Sequence, residues 1–190
     1  MSFFLFEDEV DMPDSLLNEE GKLFDTCKQC GDSLHDPPRS YSIEKVFKRY
    51  PNTSAPQVLF EYAVCDSCAL QIRDEFSAES AARMQDYFTS RLGSRAHQLE
   101  DMPVDEKFKT CMLSEKPLEE EQEFAIVARA RGGKMLKSHY PFAIGVTAMD
   151  ELQDLLSDQT RDLLDDFVNR NFPGPPEFET VPVDGKWVLV

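Results

Sequence analysis

The spacing of apolar residues changes several times along this chain, and each change marks an element. Val58 to Val64 is rich in β-branched and aromatic residues and predicts a strand. Phe124-Ala125-Ile126-Val127-Ala128 and the stretch from His139 to Val146 read alike, and they flank Arg131-Gly132-Gly133-Lys134. Paired glycines supply the positive φ that a tight turn needs, so this segment predicts a β-hairpin. Helical spacing follows each β stretch: Leu70, Ile72 and Phe76 after a start near Asp66, and Met149, Leu152, Leu155 and Leu156 after a start near Thr147. Helices at about 78–92 and 158–171 are predicted as packing elements, the second ending before Pro173. Between Pro37-Pro38 and Pro51, the residues Ile43, Val46, Phe47 and Tyr50 fall on one helical face, which predicts a short amphipathic helix over 41–50. Residues 11–22 and 96–106 are the linker candidates. The tail from Gly174-Pro175-Pro176 to Val190 is expected to be extended, with Trp187-Val188-Leu189-Val190 able to dock as a strand.

The pattern repeats. At an offset of 80, Ala63, Asp74 and Ser77 match Ala143, Asp154 and Ser157, while Tyr62, Val64, Ile72 and Phe76 meet Phe142, Ile144, Leu152 and Leu156. Cys65 and Cys68 then fall on Gly145 and Ala148. Upstream, at an offset of 84, Cys27, Cys30 and Leu34 face Cys111, Ser114 and Leu118. An internal duplication accounts for both half-sites recurring in the same order, with Cys111 the remnant of a site that has lost three ligands. The competing reading is two unrelated strand–helix units.

Four of the five cysteines form two pairs, Cys27-Lys28-Gln29-Cys30 and Cys65-Asp66-Ser67-Cys68, separated by positions 31–64. Each pair can place two thiolates on one tetrahedral ion, and together they complete the shell of a structural Zn²⁺ site. Gly31 suits a tight turn whose amides point at thiolate sulfur. The second pair lies at a predicted helix start, where the helix dipole favours thiolates. A redox dithiol is the rival reading, but it needs only one pair. His35, five residues after Cys30, could substitute for one cysteine as ligand; His97 and His139 lack partners at ligand spacing.

Turn, hairpin, then a helix carrying the second ligand pair: this layout resembles the treble-clef type of zinc finger over about residues 23–80 and, in degenerate form, 107–158. The resemblance implies a zinc-supported scaffold and little about activity, because that scaffold hosts many functions. Treble-clef nucleases need a histidine base and further metal ligands that the first unit lacks. With no nucleophile elbow, phosphate-binding glycine loop or metalloprotease helix, the chain is not expected to be an enzyme.

The chain carries 36 acidic against 20 basic residues, a net charge of −16. Such a field repels polyanions, so nucleic acid is not expected as a partner unless a local patch overrides it. One such patch exists. Residues 124–149 hold no Asp or Glu, but do hold Arg129, Arg131, Lys134 and Lys137. Either these charges neutralise acidic neighbours such as Glu119 to Glu123, or they form an anion or partner-docking site. The acidic runs Glu7-Asp8-Glu9, Glu119-Glu120-Glu121 and Asp165-Asp166 read as solvated surface, and collectively could meet a basic protein as an inhibitor or nucleic-acid mimic would. Phe3-Phe4-Leu5-Phe6 lacks a basic leader region and reads as a strand packed on the core or as an exposed adhesive segment. Reduced thiols at ligand spacing and the absence of a long apolar run lead to the expectation of a soluble cytoplasmic protein.

The expected architecture is therefore α+β, with two tandem treble-clef-like units, one zinc-bound through Cys27, Cys30, Cys65 and Cys68 and one degenerate, plus packing helices. Its parts are an N-terminal arm (1–22), a zinc-binding unit (23–95), a metal-free repeat (96–172) and an extended tail (173–190). The expected function is a non-catalytic, zinc-stabilised module that binds another protein. The alternatives are an anion or nucleic-acid binder using the basic hairpin at 129–137, and an acidic mimic.

Overall fold

A computed structural model describes residues 9–93, 95–137 and 141–172. The fold is mixed α+β. Strand β1 (Glu9–Asp11) precedes two long strands, β2 (Ser40–Lys48) and β3 (Gln57–Cys65), which lead into helices α1 (Asp66–Asp74), α2 (Ala78–Leu92), α3 (Ala96–Asp101) and α4 (Val104–Lys107). Strands β4 (Glu123–Arg131), β5 (Lys134–Leu136) and β6 (Phe142–Gly145) follow, then helices α5 (Val146–Asp154) and α6 (Asp158–Asn171). The six strands form one antiparallel sheet in the order β1-β5-β4-β2-β3, with β6 beside β5 on the same edge of β4.

The amphipathic helix predicted over 41–50 is instead β2, an interior strand of the sheet between β4 and β3. It pairs with β4 from Ser40↔Arg131 to Lys48↔Glu123, and with β3 from Tyr41↔Cys65 to Lys48↔Gln57. Tyr41, Ile43 and Val46 are fully buried, and Ile43 and Val46 each contribute about 1.5–3 kcal/mol of apolar burial. Two of the polar residues between them, Glu44 and Lys45, are buried as well. Glu44 is 4% exposed and accepts a hydrogen bond from the Tyr62 hydroxyl at 2.6 Å. Lys45 is 5% exposed, lies 3.0 Å from Glu61 and donates to the Leu17 carbonyl. Tertiary partners thus turn a helix-compatible spacing into an interior strand.

Smaller differences also have physical causes. The Gly132-Gly133 turn joins β4 to β5, and the stretch predicted as its second arm supplies β6, which pairs with the first half of β4. Both glycines have positive φ, 54° and 83°, as the turn requires. The linker candidate at 96–106 contains α3 and most of α4, separated at Pro103, whose ring cannot continue a helix. Within 11–22, Asp14–Leu16 forms a 3₁₀ turn that buries Leu16 completely. The expectations for Phe3 to Phe6, for His139 and for the tail from Pro173 onward fall outside the described residues.

One face of the sheet packs against α6: the Tyr62 ring lies 5.7 Å from Phe167 and 5.5 Å from Phe172, and Phe60 lies 5.6 Å from Phe172. The cysteine turn fastens to the outer edge of β3, through Lys28 N–H donating to Ala63 O at 2.8 Å. Helices α2 and α6 meet at their starts. Ser77 and Ser157 cap them by accepting from the Ser80 and Thr160 amides, and the two capping hydroxyls are 2.8 Å apart. Among the described residues, no helix is long and apolar enough to cross a membrane.

Candidate metal centre

The first ligand pair sits on a turn that backbone bonds close tightly. Cys27 N–H donates to Asp32 O at 2.9 Å, Gly31 N–H to Cys27 O at 2.8 Å, and Leu34 N–H to Asp25 O at 2.9 Å. Gly31 has φ 76°, a conformation that glycine adopts without the steric cost other residues incur. The turn is held to β3 by the bond from Lys28 to Ala63 and braced by Asn171, which donates to the Gln29 side chain at 3.4 Å. Lys28 also lies over the Phe172 ring at 5.0 Å.

The second pair arrives from the sheet. Cys65 ends β3 in extended conformation and is the N-cap of α1, and Cys68 lies in the first helical turn. The four sulfur atoms all lie within 4.8 Å of one another. Tetrahedral Zn²⁺ with Zn–S bonds of about 2.3 Å needs sulfurs about 3.8 Å apart, so only a small contraction separates the cluster from a full coordination shell. Cys27 and Cys65 are 1% exposed and Cys68 6%, whereas Cys30 is exposed.

Hydrogen bonds already point at the sulfurs. The Cys65 amide donates to Cys27 Sγ at 3.3 Å, and Ser67 Oγ lies 3.1 Å from Cys65 Sγ. Burial pushes the Cys65 thiol up, but bonds from Ser67, the Cys68 amide and the neighbouring thiols outweigh it and bring it down to about 7. Cys68 is pushed up by burial and by the Cys65 and Cys30 sulfurs. Cys30 is raised too, although the Asp32 amide favours its thiolate, because burial and Cys27 oppose it. One sulfur ionises readily and its neighbours then resist. A divalent cation relieves that repulsion by binding all four as thiolates.

The other sequence candidates lie elsewhere. His35 is not in the cluster; its Nε2 lies 3.0 Å from Phe24 O and its ring meets Tyr41 edge-on at 6.0 Å. Cys111 is buried, lies outside the cluster, and its sulfur accepts from the Ser114 amide at 3.4 Å. A cavity of about 30 Å³ lies beside it, lined in part by Arg95, Lys107 and Phe142. On the basic hairpin, Arg129 pairs with Asp66, Arg131 Nε donates to Ser40 Oγ at 2.8 Å, and Lys134 lies 2.6 Å from Asp11. Arg131, Lys134 and Lys137 reach the surface. Arg129 thus pairs with Asp66, Lys134 with Asp11 and Lys48 with Glu123.

Sequence reasoning passes over Glu121, which is 5% exposed although it ends an acidic run. Nothing in the sequence separates it from Glu119 and Glu120, both exposed. Comparison of the chain with protein families, curated proteins and solved structures found no match.

Proposed function

We propose that the protein is a non-catalytic, zinc-stabilised module that binds another protein. Cys27, Cys30, Cys65 and Cys68 hold one structural Zn²⁺. The convergence of these four thiols from a turn and a helix start carries the reading. Four thiolates close the coordination shell and leave no position for a reactive water, so the ion's role is to tie the turn to β3 and α1. The chain is read as two treble-clef-like units, 23–95 and 96–172, the second without metal, working in the cytoplasm.

Support for the two-unit reading comes from matching registers. Tyr41↔Cys65 and Phe124↔Gly145 are equivalent pairs at offsets of 83 and 80, and α1 and α5 begin and end at the same offset of 80. The basic hairpin is the runner-up interface, as an anion site: its tip is exposed, but two of its four cations already face carboxylates.

Two measurements on the full chain test this. Metal analysis is expected to find one zinc ion per chain; none would remove the site. Affinity capture is expected to retain a protein partner after nuclease treatment and to lose it after chelation. Recovery of nucleic acid alone, abolished by Arg129→Glu with Arg131→Glu, would replace the protein-binding reading with the anion-binding one.

A further inference from the structure

The turn at Cys111 repeats the cysteine turn bond for bond. Cys111 N–H donates to Lys116 O at 2.9 Å, Glu115 N–H to Cys111 O at 3.0 Å, and Leu118 N–H to Lys109 O at 2.8 Å. Each is the counterpart, at an offset of 84, of a bond around Cys27. Met112 N–H donates to Ala143 O at 2.8 Å, as Lys28 does to Ala63. Glu115 stands where Gly31 stands and has φ 62°, the one non-glycine residue with positive φ among those described. A residue with a Cβ keeps this costly conformation because the surrounding bonds impose it.

The helix side matches as well. Gly145 is the N-cap of α5, as Cys65 is of α1, and Ala148 is fully buried in the first turn, where Cys68 lies in α1. What fills the space of the missing third ligand is Glu121. A Cβ built on Gly145 would stand 2.7 Å from Glu121 Cγ and Cδ and 2.8 Å from Oε1. Oε2 accepts from Thr147 at 3.3 Å, while Oε1 has no hydrogen-bond partner among the described residues. Oε1 is thus a buried carboxylate oxygen left bare at a helix start, and Thr147 links Glu121 to the Cys111 turn, because Lys116 Nζ of that turn donates to Thr147 Oγ1 at 3.5 Å.

We propose that the second half carries a latent site for a divalent metal of the zinc class, for which Cys111 and Glu121 would supply two of four ligands. Positions 114 and 148 lack the other two. In the native chain the Glu121 carboxylate takes over part of the metal's work, placing negative charge at the start of α5 where the helix dipole favours it. This rests on the zinc reading of the first half.

The test is Ser114→Cys with Ala148→Cys in the full chain, assayed by zinc content and by the thiolate-to-metal absorption of the Co²⁺ form. Bound metal is expected to rise from one to two ions per chain. Adding Glu121→Ala is expected to weaken the second ion at least tenfold and leave the first in place. A folded double variant that still binds one ion overturns the latent site. A native chain that binds none overturns the zinc reading of the first half instead. Should the double variant not fold, Ser114→Cys alone, at a half-buried position, joins a second thiol to Cys111 and Glu121. Co²⁺ then gives a thiolate band beyond that of the native chain if the site exists, and no added band if it does not.

Discussion

Helices α1 and α5 both start where a strand runs out, at Cys65 and at Gly145, in the same register against β2 and β4. They are held by different chemistry. Around α1, a turn donates one backbone bond to β3 and four sulfurs converge on a common centre. Around α5, the same turn and the same backbone bond persist, but the contact across the gap is made by Glu121 packed against Gly145 and Thr147. The strands below the two helix starts differ too. β3 sets Glu61 and Tyr62 against the buried Lys45 and Glu44, whereas β6 is short and wholly buried, Phe142 to Gly145. An apolar strand packs without help. A strand whose neighbours include buried charges gains less from packing, and there a metal crosslink matters more.

The comparison is tested most severely by removing one sulfur from each half. Cys65→Ser takes a ligand from the proposed zinc site; structural zinc contributes apparent binding energies of about 10–16 kcal/mol in small zinc domains. Amides from Cys27 to Leu92 are expected to lose hydrogen-exchange protection, together with the bound metal. Cys111→Ser exchanges a buried thiol for a hydroxyl and should cost about 1–3 kcal/mol, with the metal retained. Equally severe losses from both would mean that Cys111 already serves a working site.

That test targets the part of the molecule most legible in the sequence. Ligand spacing is a strong signal, because two residues between cysteines leave few other uses, and the four cysteines do converge. The hairpin glycines and the helices at 78–92 and 158–171 are legible because turn chemistry and capping serines are local signals. β2 is not. Its apolar residues suit a helix as well as a strand, and its polar ones are satisfied by Tyr62, Glu61 and Leu17, which no local pattern connects to it. Glu121 is hidden for the same reason: its burial depends on Gly145, which comes after β4 and β5 in the chain and leaves room for it.

A milder probe exchanges the residues at the crest of each turn. Gly31 and Glu115 share a left-handed conformation, at φ 76° and 62°. A Cβ at Gly31 would meet nothing within 4 Å. Gly31→Ala is therefore expected to destabilise by about 1–2 kcal/mol, the cost of that conformation alone. Glu115→Gly should do the reverse and add up to about 1 kcal/mol, since glycine relieves the strain although it frees the unfolded chain. The Arg95–Glu115 pair that is lost, at 3.1 Å with Glu115 mostly exposed, offsets little. Thermal melts of the two variants read both signs. Opposite signs at equivalent positions support a turn inherited by both halves; a destabilised Glu115→Gly would show that the second turn is held by its side chain instead.

The smallest effect lies where the halves touch. Ser77 and Ser157 cap α2 and α6, and each also bonds into the other's cap: Ser77 N–H donates to Thr160 Oγ1 at 3.0 Å and Ser157 N–H to Ser80 Oγ at 2.9 Å. The helix starts bring two partially positive dipole ends together, and the shared hydroxyls accept from both. Ser77→Ala and Ser157→Ala should therefore cost alike, about 1 kcal/mol each as lost N-caps. Because the two hydroxyls lie 2.8 Å apart, removing the second after the first takes away a bond already broken. The double variant is expected to lose less than the sum, by about 0.5 kcal/mol or more in a denaturant-derived cycle. Strict additivity would mean that the hydroxyls cap their own helices independently, and that the contact between the halves contributes nothing at this point.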